Sequence, residues 1–413
     1  MGERRETEFG SIPAEWGLQP VRELATRLTD YVSNGSFASL AENVNYMDDD
    51  GYAILIRLTD YNAGFHGPFV TVSEPAYRFL KKSMLRGGEI IISNVGAYAG
   101  TVFMCPRLNK PMTLGPNAIV LEFDGANDFY YYWFTSTFGQ FMLSGIISGS
   151  AQPKFNKTSF RPLLVPVPPP QEREAISAVL KSLDAKIDLL HRQNKTLEAM
   201  AETLFRQWFV EEAEEGWEEM RLDQFSTVGI GRTPPRKEQH WFSTDSTDVK
   251  WISIKDMAAE GPFIFSTAEY LTDEAIERFR VPVIPKDTVI LSFKMTLGRL
   301  KITTEAMLSN EAIAHFRVNP DSHVTKEFLY LGLKTYQYET LGSTSTIVDS
   351  INSGMIREMV LQIPPEPLMD LFMEQCGPWF EKIKSNQVQI KTLIALRDTL
   401  LPKLMSGEVR VEL

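Results

Sequence analysis

The sequence predicts a mixed α/β (α+β) chain in which two duplicated globules are separated by a long antiparallel two-helix coiled coil. Three observations predict it. The chain matches itself at an offset of 196 residues, each copy begins with short β-rich runs punctuated by Gly, Pro and Asn, and each ends in a long segment with a heptad period.

The repeat is gapless over its second part. Phe155-Asn156 falls on Ile351-Asn352, Arg161 on Arg357, and LLVPVPP (163–169) on MVLQIPP (359–365). Lys195-Thr196-Leu197 falls on Lys391-Thr392-Leu393, and Thr203-Leu204 on Thr399-Leu400. Upstream the order is kept across small gaps: Trp16 and Val21 answer to Trp217 and Leu222, AILIRLTD ending at Asp60 answers WISIKD ending at Asp256, and EIIISN (89–94) answers TVILSF (288–293). A chain of 413 residues, 43% of them hydrophobic, can bury more than one core. The expected division is a first globule at 1–167, a central helix at 168–213, a second globule at 214–363 and a C-terminal helix at 364–413.

Each long segment starts after prolines, Pro168-Pro169-Pro170 and Pro364-Pro365, which stop a strand and suit a helix start. In the first, Ile176, Leu180, Leu183, Ile187, Leu190, Asn194, Leu197, Ala201, Leu204 and Trp208 alternate spacings of four and three. The second carries Phe372, Cys376, Trp379, Ile383, Asn386, Ile390, Leu393, Arg397, Leu400 and Leu404 at the equivalent positions. A parallel pairing would set Asn194 against Ile390 and Leu190 against Asn386, leaving two buried amides unpaired at about 1 to 3 kcal/mol each. An antiparallel pairing about residues 192 and 388 instead faces Asn194 with Asn386, Leu190 with Ile390, and Ala201 with Trp379. We expect that register, with the asparagine pair fixing it; the competing expectation is that the helices pack on the globules as ordinary amphipathic helices. From Ile176 to Trp208 the seam covers about 50 Å at 1.5 Å per residue, a spacer suited to two half-sites on DNA.

Composition excludes several classes. Cys105 and Cys376 lack partners at metal-ligand spacing and read as packed apolar side chains, and His66, His191, His240, His315 and His323 form no HxH or HxxxH pair, so no metal is expected. No apolar run approaches a membrane span and the charged opening MGERRETEFG is no signal peptide, so a soluble, cytoplasmic chain is expected, with no membrane partner. A net charge of −11 argues against a protein that coats nucleic acid nonspecifically, while leaving room for local basic loops. Gly229 to Gly231 lacks the third glycine and the acidic residue of a dinucleotide site and reads as a tight turn; there is no P-loop and no NPPY or DPPY run. No catalytic residue is expected on the chain.

Over nearly its whole length this arrangement resembles the specificity subunits of Type I restriction-modification systems. The marking segments are IPAEW (12–16) and its echo EEGW, GIGRTPP (229–235) followed by VKWISIKDM, EIIISNVGAYAG and TVILSFKMTLGR, PVPPPQEREAI, and the close TLLPKLMSGEVRV. The first globule has Asn34-Gly35-Ser36 where the second has its GxTP loop. The resemblance implies a non-catalytic subunit whose two globules are target-recognition domains for a bipartite sequence in double-stranded DNA, and whose helices form a spacer docking two methyltransferase subunits. It further implies S-adenosylmethionine on those modification subunits, ATP and Mg on restriction subunits where these join, and no cofactor on this chain. The alternative is a two-armed protein-protein adaptor without DNA specificity.

Base and phosphate contacts call for Arg, Lys, Asn or Gln on loops. The first half offers Arg57, Lys81, Lys82, Tyr98, Gln152, Lys154 and Lys157, and the second Arg232, Arg236, Lys237, Lys255, Lys294, Arg299 and Lys301. Asp48-Asp49-Asp50 reads as a solvated turn. Phe205, Trp208 and Phe209, near one end of the coil, are candidates for docking the methyltransferase, against intrachain packing as the other possibility.

Overall fold

An antiparallel ribbon joins the beginning and end of each repeat. In the structure, a computed structural model that describes residues 3–48, 50–294, 296–338 and 352–411, Gly17–Pro20 pairs with Leu164–Val167 and Glu218–Arg221 with Val360–Ile363. Prolines beyond each ribbon lead into the long helices Pro170–Arg206 and Glu366–Met405. Met1 and Gly2 of the opening segment, Asp49 of the acidic run, Met295 of the second polar loop and Ile351 of the repeat lie outside the described residues.

The chain forms two compact units, Met1–Lys186 with Leu393–Leu413, and Ile187–Thr392. In the first, one sheet has the order Val102–Met104, Ile90–Ser93, Ala118–Phe123, Ala25–Asp30, antiparallel throughout. A second has the order Tyr46–Asp48, Val70–Val72, Ala53–Ile56, Met112–Leu114, Met84–Leu85, with a parallel step between Ala53–Ile56 and Met112–Leu114. The second unit repeats both plans. Leu300–Thr303, Val289–Ser292, Ile313–Val318 and Ser226–Ile230 follow the first order, with Phe263–Ile264 added at the edge, and Phe242–Ser243, Glu269–Leu271, Val249–Ile252 and Leu308–Ser309 follow the second, parallel step included.

The central strands Ile90–Ser93 and Val289–Ser292 are apolar at consecutive positions because both of their faces are covered. Ile90 and Ile92 join one core with Ile119 and Leu121, while Ile91 joins another with Phe103 and Val120; Val289 and Leu291 are divided from Ile290 in the same way. Asp60 and Asp256, the matched acids of the repeat, do matched work. Asp60 accepts from the backbone N–H of Arg57 and Asp256 from that of Ser253, each at 2.8 Å, closing the turn after the parallel strand.

The long helices are antiparallel within each unit. In the second unit Asn386 Nδ2 donates to Asn194 Oδ1 at 2.8 Å and to Gln193 Oε1 at 2.9 Å, and the rings of Phe205 and Trp208 each lie 6.2 Å from that of Phe372. In the first unit Arg397 Nη1 donates to Asp184 Oδ1 at 2.9 Å, and Asp184 also accepts from Tyr132 Oη at 2.7 Å. The seam also serves the globular cores: Ile176, Leu180 and Leu404 pack with Trp16 and Val21, and Ala201, Phe372, Cys376 and Ile383 with Phe316 and Phe328. Trp379 is half-buried against the cluster that holds Ala201. Cys105 and Cys376 are free thiols packed in these cores; burial pushes the Cys376 thiol up to about 12.

Candidate nucleic-acid interface

In the first unit Lys82, Lys154 and Lys157 gather around two loops, and Lys81 is exposed beside Lys82. Ala25–Asp30 ends in a turn over Tyr31–Asn34, where Asp30 accepts from the N–H of Ser33 at 2.9 Å and from its hydroxyl at 2.6 Å. Lys157 adds an ion pair to Asp30 at 2.9 Å, and Lys82 Nζ donates to the Ser33 carbonyl at 2.9 Å. Asn34 anchors the turn, donating to Ser83 Oγ and accepting from the N–H of Lys82. The second loop follows Ile90–Ser93. Its Gly96 N–H donates to the Pro153 carbonyl at 2.9 Å, Asn94 Nδ2 donates to the Phe155 carbonyl at 3.1 Å, and Val95 is bridged to Lys154. This zips residues 94–100 to 148–155 and collects Tyr98, Gln152 and Lys154, all exposed, on one rim.

Between the loops lies a cleft of about 500 Å³ lined by Asp30, Tyr31, Phe37, Tyr46, Asn94 and Asn117, among others. Phe37, one residue beyond the Asn34-Gly35-Ser36 segment, is 83% exposed. Its place at the cleft is not visible in the sequence, where a single aromatic side chain carries no sign of which way it faces. Asn117, also unremarked in the sequence, is exposed with φ of 65°, a backbone region asparagine tolerates.

In the second unit, Lys237, Lys255 and Lys294 are exposed. Arg232 donates to the Phe279 carbonyl at 2.7 Å and Arg299 to the Ile254 carbonyl at 2.8 Å, so each is tethered along its length. The GIGRTPP segment is not a tight turn. Gly229 lies in the strand Ser226–Ile230 opposite His315, and a Cβ on Gly231 would sit 2.2 Å from the Asn310 carbonyl oxygen, so glycine is required by close approach of two backbones.

Several candidates are corrected by their surroundings. Lys301 is 5% exposed within the strand Leu300–Thr303 and donates to the Ala259 and Gly261 carbonyls; burial lowers its ammonium to about 8, and no phosphate can reach it. Arg57 is spent on Asp60, to which both its Nε and Nη2 donate. The Arg236 guanidinium forms a fork with Glu269 at 2.8 and 2.9 Å and lies 4.1 Å from the centre of the Phe242 ring, so its charge is already met. Phe205 and Phe209 do not face outward as docking residues: both are buried, with Phe209 5.1 Å from Phe328 and 4.9 Å from Phe372. Trp208 is half-buried beside them. The apolar outer surface of this helix pair lies elsewhere, in a groove of about 710 Å³ lined by Arg192, Lys195, Met200, Leu204 and Trp379.

No helix among the described residues is long and apolar enough to cross a membrane. A family model described as Type I restriction modification DNA specificity domain matches the chain twice, over residues 42–199 and 214–367. The Type I restriction enzyme MjaIX specificity subunit of Methanocaldococcus jannaschii is 25% identical, the alignment covering 99% of this chain and 97% of that protein. The Type I restriction enzyme HindI specificity subunit of Haemophilus influenzae is 24% identical over 62% of this chain and 71% of its own length. Among solved structures, the S subunit of a Type I restriction-modification system from M. genitalium superposes with a TM-score of 0.58 at 16% identity, covering 94% of this chain and 96% of that one, a likeness of fold.

Proposed function

The chain belongs to the family of Type I restriction-modification DNA specificity proteins, and from that premise we propose that each of its two units reads one half of a bipartite site in double-stranded DNA while its paired helices hold methyltransferase subunits. It is a non-catalytic component. The chemistry of adenine methylation, with S-adenosylmethionine, and of ATP- and Mg-dependent cleavage belongs on this reading to the partner subunits.

The observation that carries the reading is the duplicated strand order with an exposed cation beside the loop that follows the central strand of each unit. Lys154 and Tyr98 project beside the central strand Ile90–Ser93, and Lys294 follows the matching strand Val289–Ser292. Exposed ammonium groups on fixed loops suit phosphate contacts that set orientation, while neighbouring polar side chains suit base edges. The negative total charge then disfavours binding away from these loops. The groove at Met200 and Trp379 supports docking of a modification subunit on the helix pair, since it offers apolar surface rimmed by Arg192 and Lys195.

The test is the salt dependence of duplex binding by the chain assembled with a Type I methyltransferase subunit that binds it. Specific binding that weakens steeply with salt, the slope growing by about 0.9 per phosphate engaged, supports the reading. A stable assembly whose DNA binding is absent or insensitive to salt favours a protein-protein adaptor.

A further inference from the structure

We infer that Phe37 and Asn117, which line the cleft of the first unit, are its base-reading residues: Phe37 presses an apolar face against a thymine methyl and the Asn117 amide meets a base edge beside it. The inference rests on the DNA reading above and deepens it.

Four features of the cleft support this. Phe37 is 83% exposed, and the loops that flank its cleft carry the exposed Lys82 and Lys154. An open aromatic ring beside ammonium groups matches a duplex, where phosphates meet the cations and a thymine methyl in the major groove offers apolar contact to the ring. The carboxylate in the cleft does not oppose this, because Asp30 is already paired with Lys157 and Ser33. The ring is also held on a fixed support. Ser36 Oγ accepts from the N–H of Ser39, and Asn34 fixes the preceding turn through Ser83 and Lys82, so little ordering is needed on binding. Asn117 is exposed at the same cleft, and an asparagine amide pairs two-fold with adenine in the major groove.

The second unit departs from this chemistry at the corresponding strand end. Beyond Ser226–Ile230 its loop presents Arg232 and prolines in place of an open aromatic ring. The two units would thus read their half-sites by different means, an apolar contact in one and cationic contacts in the other.

The experiment maps methylated adenines produced by the complete complex carrying wild-type chain, Phe37→Ala or Asn117→Gly, and measures duplex affinity in parallel. Phe37 is open to solvent, so its truncation spares the core, and glycine accepts the positive φ of Asn117. The expected result is relaxation at one or two positions within one half of the bipartite motif, with specific affinity falling about tenfold to a hundredfold and the salt slope unchanged. An unaltered motif and affinity in both variants overturns the inference and leaves the DNA reading standing, as does relaxation spread equally over both halves. Absence of any motif with the wild-type chain overturns the DNA reading itself.

Discussion

Replacing Asn386 by Leu strips two hydrogen bonds from the helix pair and leaves the carbonyl of Asn194, a residue 6% exposed, without its donor. An orphaned buried amide costs about 1 to 3 kcal/mol. Two gains partly offset this: the leucine buries apolar surface worth up to about 2 kcal/mol, and the Asn386 Oδ1, which is buried without a partner, is removed. A net loss of about 1 kcal/mol is expected for the single change, and a similar one for Asn194→Leu. The double variant has no orphan on either helix and is expected to be at least as stable as the wild type. Urea unfolding of the full chain and its three variants closes the cycle, with an expected coupling of about 2 kcal/mol in favour of the double variant. Additive effects, within about 0.5 kcal/mol, would refute the claim that these two amides satisfy one another and so set the register.

Lys154→Ala should lower the salt slope of DNA binding by about 0.9 if it engages one phosphate, whereas Lys301→Ala should leave the slope untouched and cost about 2 kcal/mol through the carbonyls of Ala259 and Gly261. His315 is buried against Ser309, and burial lowers its imidazole from 6.5 to about 4. The folded chain therefore resists a proton that the unfolded chain accepts, so stability is full above pH 6.5 and falls as pH drops toward 4, by about 3 kcal/mol in all. Denaturant melts across that window should show the loss, and His315→Gln should flatten it. Met200→Arg, which places a charge in the helix groove, should reduce co-purification of the methyltransferase at least tenfold without altering the melting of the chain alone; equal recovery would move the docking surface elsewhere.

What the sequence revealed follows physical period. The seam was legible because ten positions alternating by three and four leave one solution for a helix face, and the asparagines within it pointed to an antiparallel pairing; Asn386 donates to Asn194. The strands were legible where both faces are covered, as in IIIS and VILS. Individual contacts were not. Lys301 reads as a loop cation in sequence, yet the strand it occupies is buried along its length, and its ammonium turns inward to two carbonyls. Phe205 and Phe209 have the composition of an interface, but the strands and helices from 214 onward close over them. Phe37 carries no sign in the sequence of which way it faces, and only the path of the chain around Asn34 leaves it open. Loop side chains are placed by tertiary partners, and a period cannot report those.

The most direct test of the central claim is to map methylated adenines in DNA treated with this chain assembled with its methyltransferase. The expected product is one bipartite motif, two short specific halves at a fixed gap. A complex that methylates without such a motif, or with a single uninterrupted one, would contradict it.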